Sequence, residues 1–320
     1  MTRGDQLVWA QGFGWADRDK KIAATPATIY RIGSITKSFT AVAMMQAVER
    51  GTIRLDDPVT KYLPEASGFP GARPGAAPPT LRQLASHTAG LIREPSLPGA
   101  AAGPIGQWEA KVLASIPTTR FDTVPGARFS YSNIGFAVLG LAISRAAKAP
   151  YIDLVTDGIF KPLGMRSSTF IIDDRLRPKL AVGYSELAPG LPDREHDGRG
   201  YKVPNGGIYT TVGDLTHYIA MFEGLRGDSV LSAKSRAEMM RVQTPEDPRS
   251  GYGFGLFVET TAGGHRMINH GGGVAGYTTY FIFDPDAQIG VILLRNYERG
   301  QTDLAEAAHK VLADLVAASR

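Results

Sequence analysis

Arg31-Ile32-Gly33-Ser34-Ile35-Thr36-Lys37-Ser38-Phe39-Thr40 runs directly into an apolar stretch, residues 41–49, that Gly51 stops. Strand-forming residues, Thr28-Ile29-Tyr30, precede it and give way at Gly33. The periodicity that follows predicts a helix beginning at Ser34, with Gly51 at the C′ position. Residues three apart share a helix face, so the Ser34 hydroxyl and the Lys37 amine are expected to be neighbours. The positive end of the helix dipole favours negative charge developing near Ser34. A hydroxyl beside an amine at that place is an arrangement for an activated nucleophile. Alone the pair decides little. With 17 Ser and 11 Lys in 320 residues, Ser-x-x-Lys arises by chance roughly 0.6 times, and an isolated Ser34 reads equally well as a helix cap.

Outward from that stretch, 320 residues accommodate one large domain or two interleaved ones. A hydrophobic content of 43% with 21% charged residues is that of an ordinary globular protein with ample core. The net charge is +4, but Lys and Arg are scattered, with no basic run interleaved with aromatics, which speaks against a nucleic-acid partner. The absence of Cys excludes disulfides, thiol catalysis and zinc–thiolate sites. No run approaches the ~18 apolar residues of a membrane span. Residues 1–5 carry no apolar signal region, so the chain as written reads as cytoplasmic.

Residues 6–15, aromatic-rich and partly alternating, read as a strand, and 17–21 as a polar turn. Thr80-Leu81-Arg82-Gln83 is a capping box opening a short helix. Helices are expected over 107–116, 134–147, 151–160, 211–222 and 232–241. The polar, Pro- and Gly-rich 173–207 is longer than an ordinary loop and reads as functional or mobile. Strands follow at 253–259, 266–269, 277–283 and 288–294, with Asp284-Pro285-Asp286 as a hairpin turn, and an amphipathic helix closes the chain over 302–316. Strands at both ends with helices between give an α+β fold. An antiparallel sheet built from both chain ends (1–33 and 250–320) is flanked by helices, and a mostly helical region (34–249) is inserted. A site is expected in the crevice between the two.

Two further motifs join Ser34 and Lys37. Tyr131-Ser132-Asn133 sets a phenol and an amide two residues apart at a loop–helix junction, and His270-Gly271-Gly272-Gly273 ends a strand. The Tyr-x-Asn pair arises by chance roughly 0.15 times and His-Gly-Gly roughly 0.08 times. Together and in this order the motifs resemble the serine β-lactamase and penicillin-binding-protein superfamily, nearest its class C branch with the esterase and D-aminopeptidase relatives. Leu84-Ala85-Ser86-His87-Thr88-Ala89-Gly90-Leu91, Pro162-Leu163-Gly164-Met165 and Gly206-Gly207-Ile208-Tyr209-Thr210-Thr211 look like segments of the same family.

That resemblance implies acylation of Ser34 by an ester or amide, with Lys37 and Tyr131 sharing the proton work and Asn133 holding the acyl side. His270 and Gly272 would line the substrate site, and the backbone N–H groups of Ser34 and Gly273 would form the oxyanion hole. It implies no metal and no organic cofactor, and a small ester, amide or short peptide as substrate. Lys and Tyr titrate near 10 in water, so each needs its surroundings to act at neutral pH, and they form a coupled pair. Which of them takes the Ser34 proton stays open in the sequence, as does the oligomeric state.

Two departures from the family pattern matter. Most of its members have Lys-Thr-Gly where this chain has His270-Gly271-Gly272, and a mostly neutral His holds a substrate carboxylate poorly. The expectation is therefore a carboxylesterase-type hydrolase with at most weak β-lactamase activity. The alternatives are a D-amino-acid peptidase or DD-peptidase, and a sensor or penicillin-binding homologue that acylates without turning over. Relatives also carry a helix and an internal strand ahead of the strand beginning here near Leu7. Either the chain is truncated, and an export signal with it, or its start is misassigned, or another element fills that gap. Loops 90–106 and 173–207 are expected to rim the pocket and set the substrate. His87 reads as a structural hydrogen-bonder, and His196, His217, His265 and His309 as surface or core. The Gly271–Gly276 G-x-G-x-x-G leads towards a strand rather than a helix, which rules out a dinucleotide loop. No G-x-S-x-G elbow is present.

Overall fold

Tyr280-Phe281-Ile282-Phe283 alternates between two cores, as the period of two along a strand requires. Tyr280 and Ile282 pack with Ala308, Leu312 and Val316 of the closing helix. Phe281 and Phe283 face the main core with Phe39 and Phe222. Both faces of the strand are covered, so it reads as a continuous apolar run rather than an alternation with polar residues.

The computed structural model describes residues 1–71, 77–185, 192–193, 199–261 and 263–319. Seven strands form one antiparallel sheet: β1 (Thr2–Arg3), β2 (Gln6–Leu7), β3 (Ser250–Tyr252), β4 (Phe257–Thr260), β5 (Arg266–Val274), β6 (Tyr277–Asp284) and β7 (Ile289–Arg295). Their order is β2-β1-β7-β6-β5-β4-β3. The helices that matter for the site are α1 (Thr36–Glu49) and α2 (Asn133–Ala147). Further helices are α3 (Val212–Phe222) and the closing α4 (Leu304–Ala318). Residues 34–249 supply helices and short connecting strands, and 1–7 with 250–295 supply the sheet.

Three readings of the sequence change. The strand expected over 6–15 keeps only Gln6–Leu7 in the sheet, and Trp15–Asp17 forms a separate ribbon with Ile22–Ala23. The reason is backbone crowding: a Cβ on Gly12 would lie 2.0 Å from the Ala24 carbonyl oxygen, and Gly14 turns the chain at φ +68°. The strand expected over 253–259 is interrupted before Phe257. Gly255, at φ +69°, presses its backbone onto Lys37 and Ser38, leaving 2.7 Å between a Cβ there and the Lys37 carbonyl oxygen. Ahead of the expected first strand lies β1, which the reading did not foresee and whose Thr2 and Arg3 pair with Gly290 and Ile289.

The capping box at Thr80 is complete, with Thr80 accepting from the Gln83 backbone and Gln83 reaching back to Thr80. Gly271–Gly276 runs from β5 into β6, as a hairpin and not a phosphate loop. His196, and residues 186–191 and 194–198 of the 173–207 stretch, lie outside the described residues.

Candidate active site

The nucleophile candidate sits on a single 3-10 turn, Gly33–Ile35, that feeds α1. Two close approaches fix that turn against the sheet. A Cβ on Gly272 would stand 2.0 Å from the Ile32 carbonyl oxygen, and one on Gly33 would stand 3.1 Å from the Gly273 nitrogen. The Thr279 hydroxyl, opposite Gly272 in the register, donates to the Ile32 carbonyl at 3.0 Å. Glycine at these positions lets the β5 backbone lie directly against the Ser34 turn.

Lys37 comes from the first turn of α1 and is fully buried. Its Nζ lies 3.0 Å from Ser34 Oγ, 2.7 Å from Asn133 Oδ1 and 3.2 Å from the Asn205 carbonyl oxygen. Burial pushes its pKa well below the usual lysine value, and the positive charge of Arg93 adds to the effect. Asn133 begins α2, and its Nδ2 donates to Glu94 Oε1 at 2.6 Å, which fixes the amide with its oxygen towards Lys37. Asn205 Nδ2 donates to the Asn133 carbonyl at 3.0 Å, tying the Val203–Gly206 turn to α2.

Tyr131 lies against this cluster, and burial raises its pKa to about 12, with the neighbouring Ser34 hydroxyl and the Arg93 charge working the other way. Lys37 Nζ and the Arg93 guanidinium lie 4.8 and 4.7 Å from its ring centroid. His87 holds the segment on both sides. Its carbonyl accepts from Ser130 N at 2.7 Å and its Nδ1 accepts from Ser132 N at 3.0 Å. The imidazole stacks on Tyr131 with ring centroids 4.1 Å apart. Burial holds His87 neutral, so Nδ1 keeps its lone pair for Ser132.

His270, read from sequence as a substrate-binding residue, takes a different place. It is 1% exposed and sits behind Tyr131, with ring centroids 6.5 Å apart. Its Nδ1 donates to the Gly271 carbonyl at 2.6 Å and its Nε2 accepts from Tyr252 Oη at 2.9 Å. Burial and the charge of Lys37 lower its pKa to about 3. Both ring nitrogens are engaged and the ring is neutral, so the side chain does not face the open pocket. Gly272 meets the Ile32 backbone, and Gly273 opens onto the pocket.

The pocket beside Ser34 measures about 200 Å³ and is walled by Asn133, Asn205, Gly206 and Gly273. A larger cavity of about 540 Å³ lies between Phe69, Phe121, Pro79 and Pro125, and among the described residues that line it Asp122 is the one titratable group, with no base–nucleophile pair. The sequence reading gathered Ser34, Lys37, Tyr131, Asn133 and Gly273, and the structure brings these together. It did not single out Glu94, Asn205, Arg199 or Lys202. All four lie in the stretches 90–106 and 173–207 expected to rim the pocket, and Asn205 directly precedes the Gly206-Gly207 segment that was singled out. The others stand in loops with no periodicity to mark them.

Comparison with known proteins bears on this geometry. The family description Beta-lactamase matches residues 1–315. The chain is 27% identical over 299 residues to Protein flp of Staphylococcus aureus (strain MW2), covering 92% of this chain and 58% of that protein. It is 28% identical over 309 residues to the D-alanyl-D-alanine-carboxypeptidase/endopeptidase AmpH of Escherichia coli (strain K12), covering 91% and 76%. Among solved structures, the octameric penicillin-binding protein homologue from Pyrococcus abyssi superposes with a TM-score of 0.83 at 29% identity, covering 98% of this chain and 72% of that one. The chain thus spans little more than half the length of the flp relatives. No helix among the described residues is long and apolar enough to cross a membrane.

Proposed function

The chain belongs to the Beta-lactamase family, a family of serine hydrolases, and from that premise we propose that it cleaves a small ester or amide through an acyl-enzyme on Ser34. The bonding around Lys37 carries this reading. A neutral amine has two N–H groups and one lone pair. Asn133 Oδ1 and the Asn205 carbonyl can only accept, so they take the two N–H groups and leave the lone pair facing Ser34 Oγ at 3.0 Å. That is the position of a general base, within hydrogen-bond reach of the proton it removes.

Ser34 Oγ attacks the carbonyl carbon as its proton passes to Lys37 Nζ. The backbone N–H groups of Ser34 and Gly273 receive the oxyanion, each donor contributing about 3–4 kcal/mol. The bond to the leaving group breaks, and that group takes the proton, passed on through the Tyr131 hydroxyl. Water then adds to the acyl-enzyme and gives a proton to the same pair. The bond to Ser34 breaks, Ser34 regains its proton and the acid departs. Asn133 faces the acyl portion of the substrate.

The neutral, enclosed His270 favours an ester without a carboxylate on its leaving group, because β5 offers no cation there. A second reading, cleavage of D-amino-acid peptides, is favoured by the relative named D-alanyl-D-alanine-carboxypeptidase/endopeptidase. The test is intact mass after a fluorophosphonate, with turnover of 4-nitrophenyl butyrate, on the protein and on Ser34→Ala. One adduct and ester turnover are expected, both lost in the variant, with turnover down on the order of 10⁴-fold or more. Neither adduct nor turnover in the intact protein sinks the reading. Release of D-alanine from D-alanyl-D-alanine peptides separates the second from the first.

A further inference from the structure

Among the described residues lining the Ser34 pocket are the cations Arg199 and Lys202, and no carboxylate. Arg199 is 7% exposed. Its Nη1 donates to the carbonyls of Phe170 and Gly207, the latter at 2.7 Å, and its guanidinium stands 4.6 Å from the Tyr209 ring centroid. Carbonyls and a phenol ring orient a guanidinium without neutralising it. Arg keeps its charge in any protein setting, and a buried charge calls for an opposite one. Lys202 stands at the mouth of the same pocket with its Nζ 3.7 Å from Glu94 Oε1. That oxygen already accepts from Asn133 Nδ2 at 2.6 Å, so Glu94 balances at most one of Lys202 and Arg199.

On the hydrolase reading above, Asn133 faces the acyl group, and Asn133 is a wall of this pocket. The positive charge is therefore on the acyl side. His270, packed against Tyr131 and outside the lining of this pocket, is neutral and adds no charge. We propose that the acyl group accepted by this enzyme carries a carboxylate, which Arg199 and Lys202 receive. A pocket of about 200 Å³ suits a group of a few carbons. The inference rests on the hydrolase reading for its chemistry and on the charges of the pocket for its specificity.

Two esters sharing one leaving group test it: 4-nitrophenyl hemiglutarate, with an acyl carboxylate, and 4-nitrophenyl butyrate, without one. The expected kcat/KM ratio favours the hemiglutarate by about tenfold or more, the worth of one hydrogen bond to a charged group. Lys202→Gln and Arg199→Lys each lower that ratio. Lys310→Gln, the same change of net charge on the exposed face of α4, leaves it unaltered. Butyrate turned over as well as hemiglutarate by the intact protein overturns the inference and leaves the hydrolase reading standing. If neither ester turns over and Ser34 takes no fluorophosphonate, the hydrolase reading fails, and binding decides the pocket. Glutarate would then raise Tm more than glutaramide, an advantage lost in Lys202→Gln. Equal shifts from the two overturn the inference on that arm too.

Discussion

Lys37 and Glu223 are both ionisable groups that the fold holds away from their charged form, and their surroundings could hardly differ more. Lys37 is fully buried, yet its nitrogen meets three oxygens and opens onto the pocket through Ser34. Glu223, at the end of α3, has both carboxylate oxygens buried without a hydrogen-bond partner among the described residues. Burial raises its pKa to about 8, and the charge of Asp284 adds to the effect. Asp284 itself is satisfied, accepting from His265 Nδ1 and from the backbones of Asp286 and Ala287, each at 2.9 Å. A displaced pKa therefore does not mark a site in this molecule. Partners that turn the displaced group towards a nucleophile do.

The largest effect that would break the comparison is chemical. Replacing Lys37 by Met keeps the volume and removes the lone pair that faces Ser34. Fluorophosphonate labelling of Ser34 and ester turnover are expected to fall by about 10³-fold, within the usual range for a general base. The pH profile of kcat/KM in the intact protein supplies the sign. Lys37 acts unprotonated, so activity is lost as pH falls through its lowered pKa and is full above it. Tyr131, raised to about 12, stays protonated across the working range and adds no descending limb near neutrality. A Lys37→Met variant that labels at the wild-type rate would put Lys37 in the same class as Glu223.

The unequal legibility of the two regions has the same physical origin. Ser34 and Lys37 are three apart on one turn, and Tyr131 and Asn133 are two apart at a helix start, so each pair was visible locally, and the order of the motifs with the family resemblance it carries joined them into one site. His270 was legible as a motif but not as to its placement. Whether it lined the pocket or stood behind Tyr131 depended on Tyr252, eighteen residues away, taking its Nε2. Glu94 and Arg199 reach the site from irregular segments and Lys202 from the short 3-10 turn Gly200–Lys202, and within those stretches nothing local distinguishes them from surface charges. The sheet was legible where both faces are covered, as in β6, and misread at 6–15, where Gly12 and Gly14 turn an aromatic-rich run away from it.

A smaller effect concerns stability. Glu223 is held protonated in the fold, whereas the unfolded chain ionises it near 4.3. Below that pH both states are protonated and nothing is lost. As pH rises from about 4.3 towards 8, the unfolded state gives up its proton first, so stability falls across that window and levels off above it. Glu223→Leu removes an unpartnered buried carboxyl, typically worth about 1–3 kcal/mol. The expected gain at pH 8 is about 2–6 °C in Tm, shrinking at pH 4.5, with ester turnover untouched. A loss of Tm at pH 8 would mean that Glu223 is paired after all, and the contrast with Lys37 would collapse.

The finest test lies inside the partnered network. Glu94 accepts from Asn133 Nδ2, and its negative charge raises the pKa of Lys37 against burial and Arg93, which lower it. Glu94→Gln keeps an oxygen for Asn133 and deletes the charge. The pKa of Lys37 then falls further, and the rising limb of kcat/KM moves towards acid. At a pH on that limb, activity is expected to increase a few-fold, less than the ~10-fold that one pH unit brings. On the plateau above it the change is small. A limb that moves the other way would show that Asn133 had lost its orientation and Lys37 a hydrogen-bond acceptor. The charge of Glu94 and its grip on Asn133 are thus separable by the direction of one shift, which no charge change beside the unpartnered Glu223 could achieve.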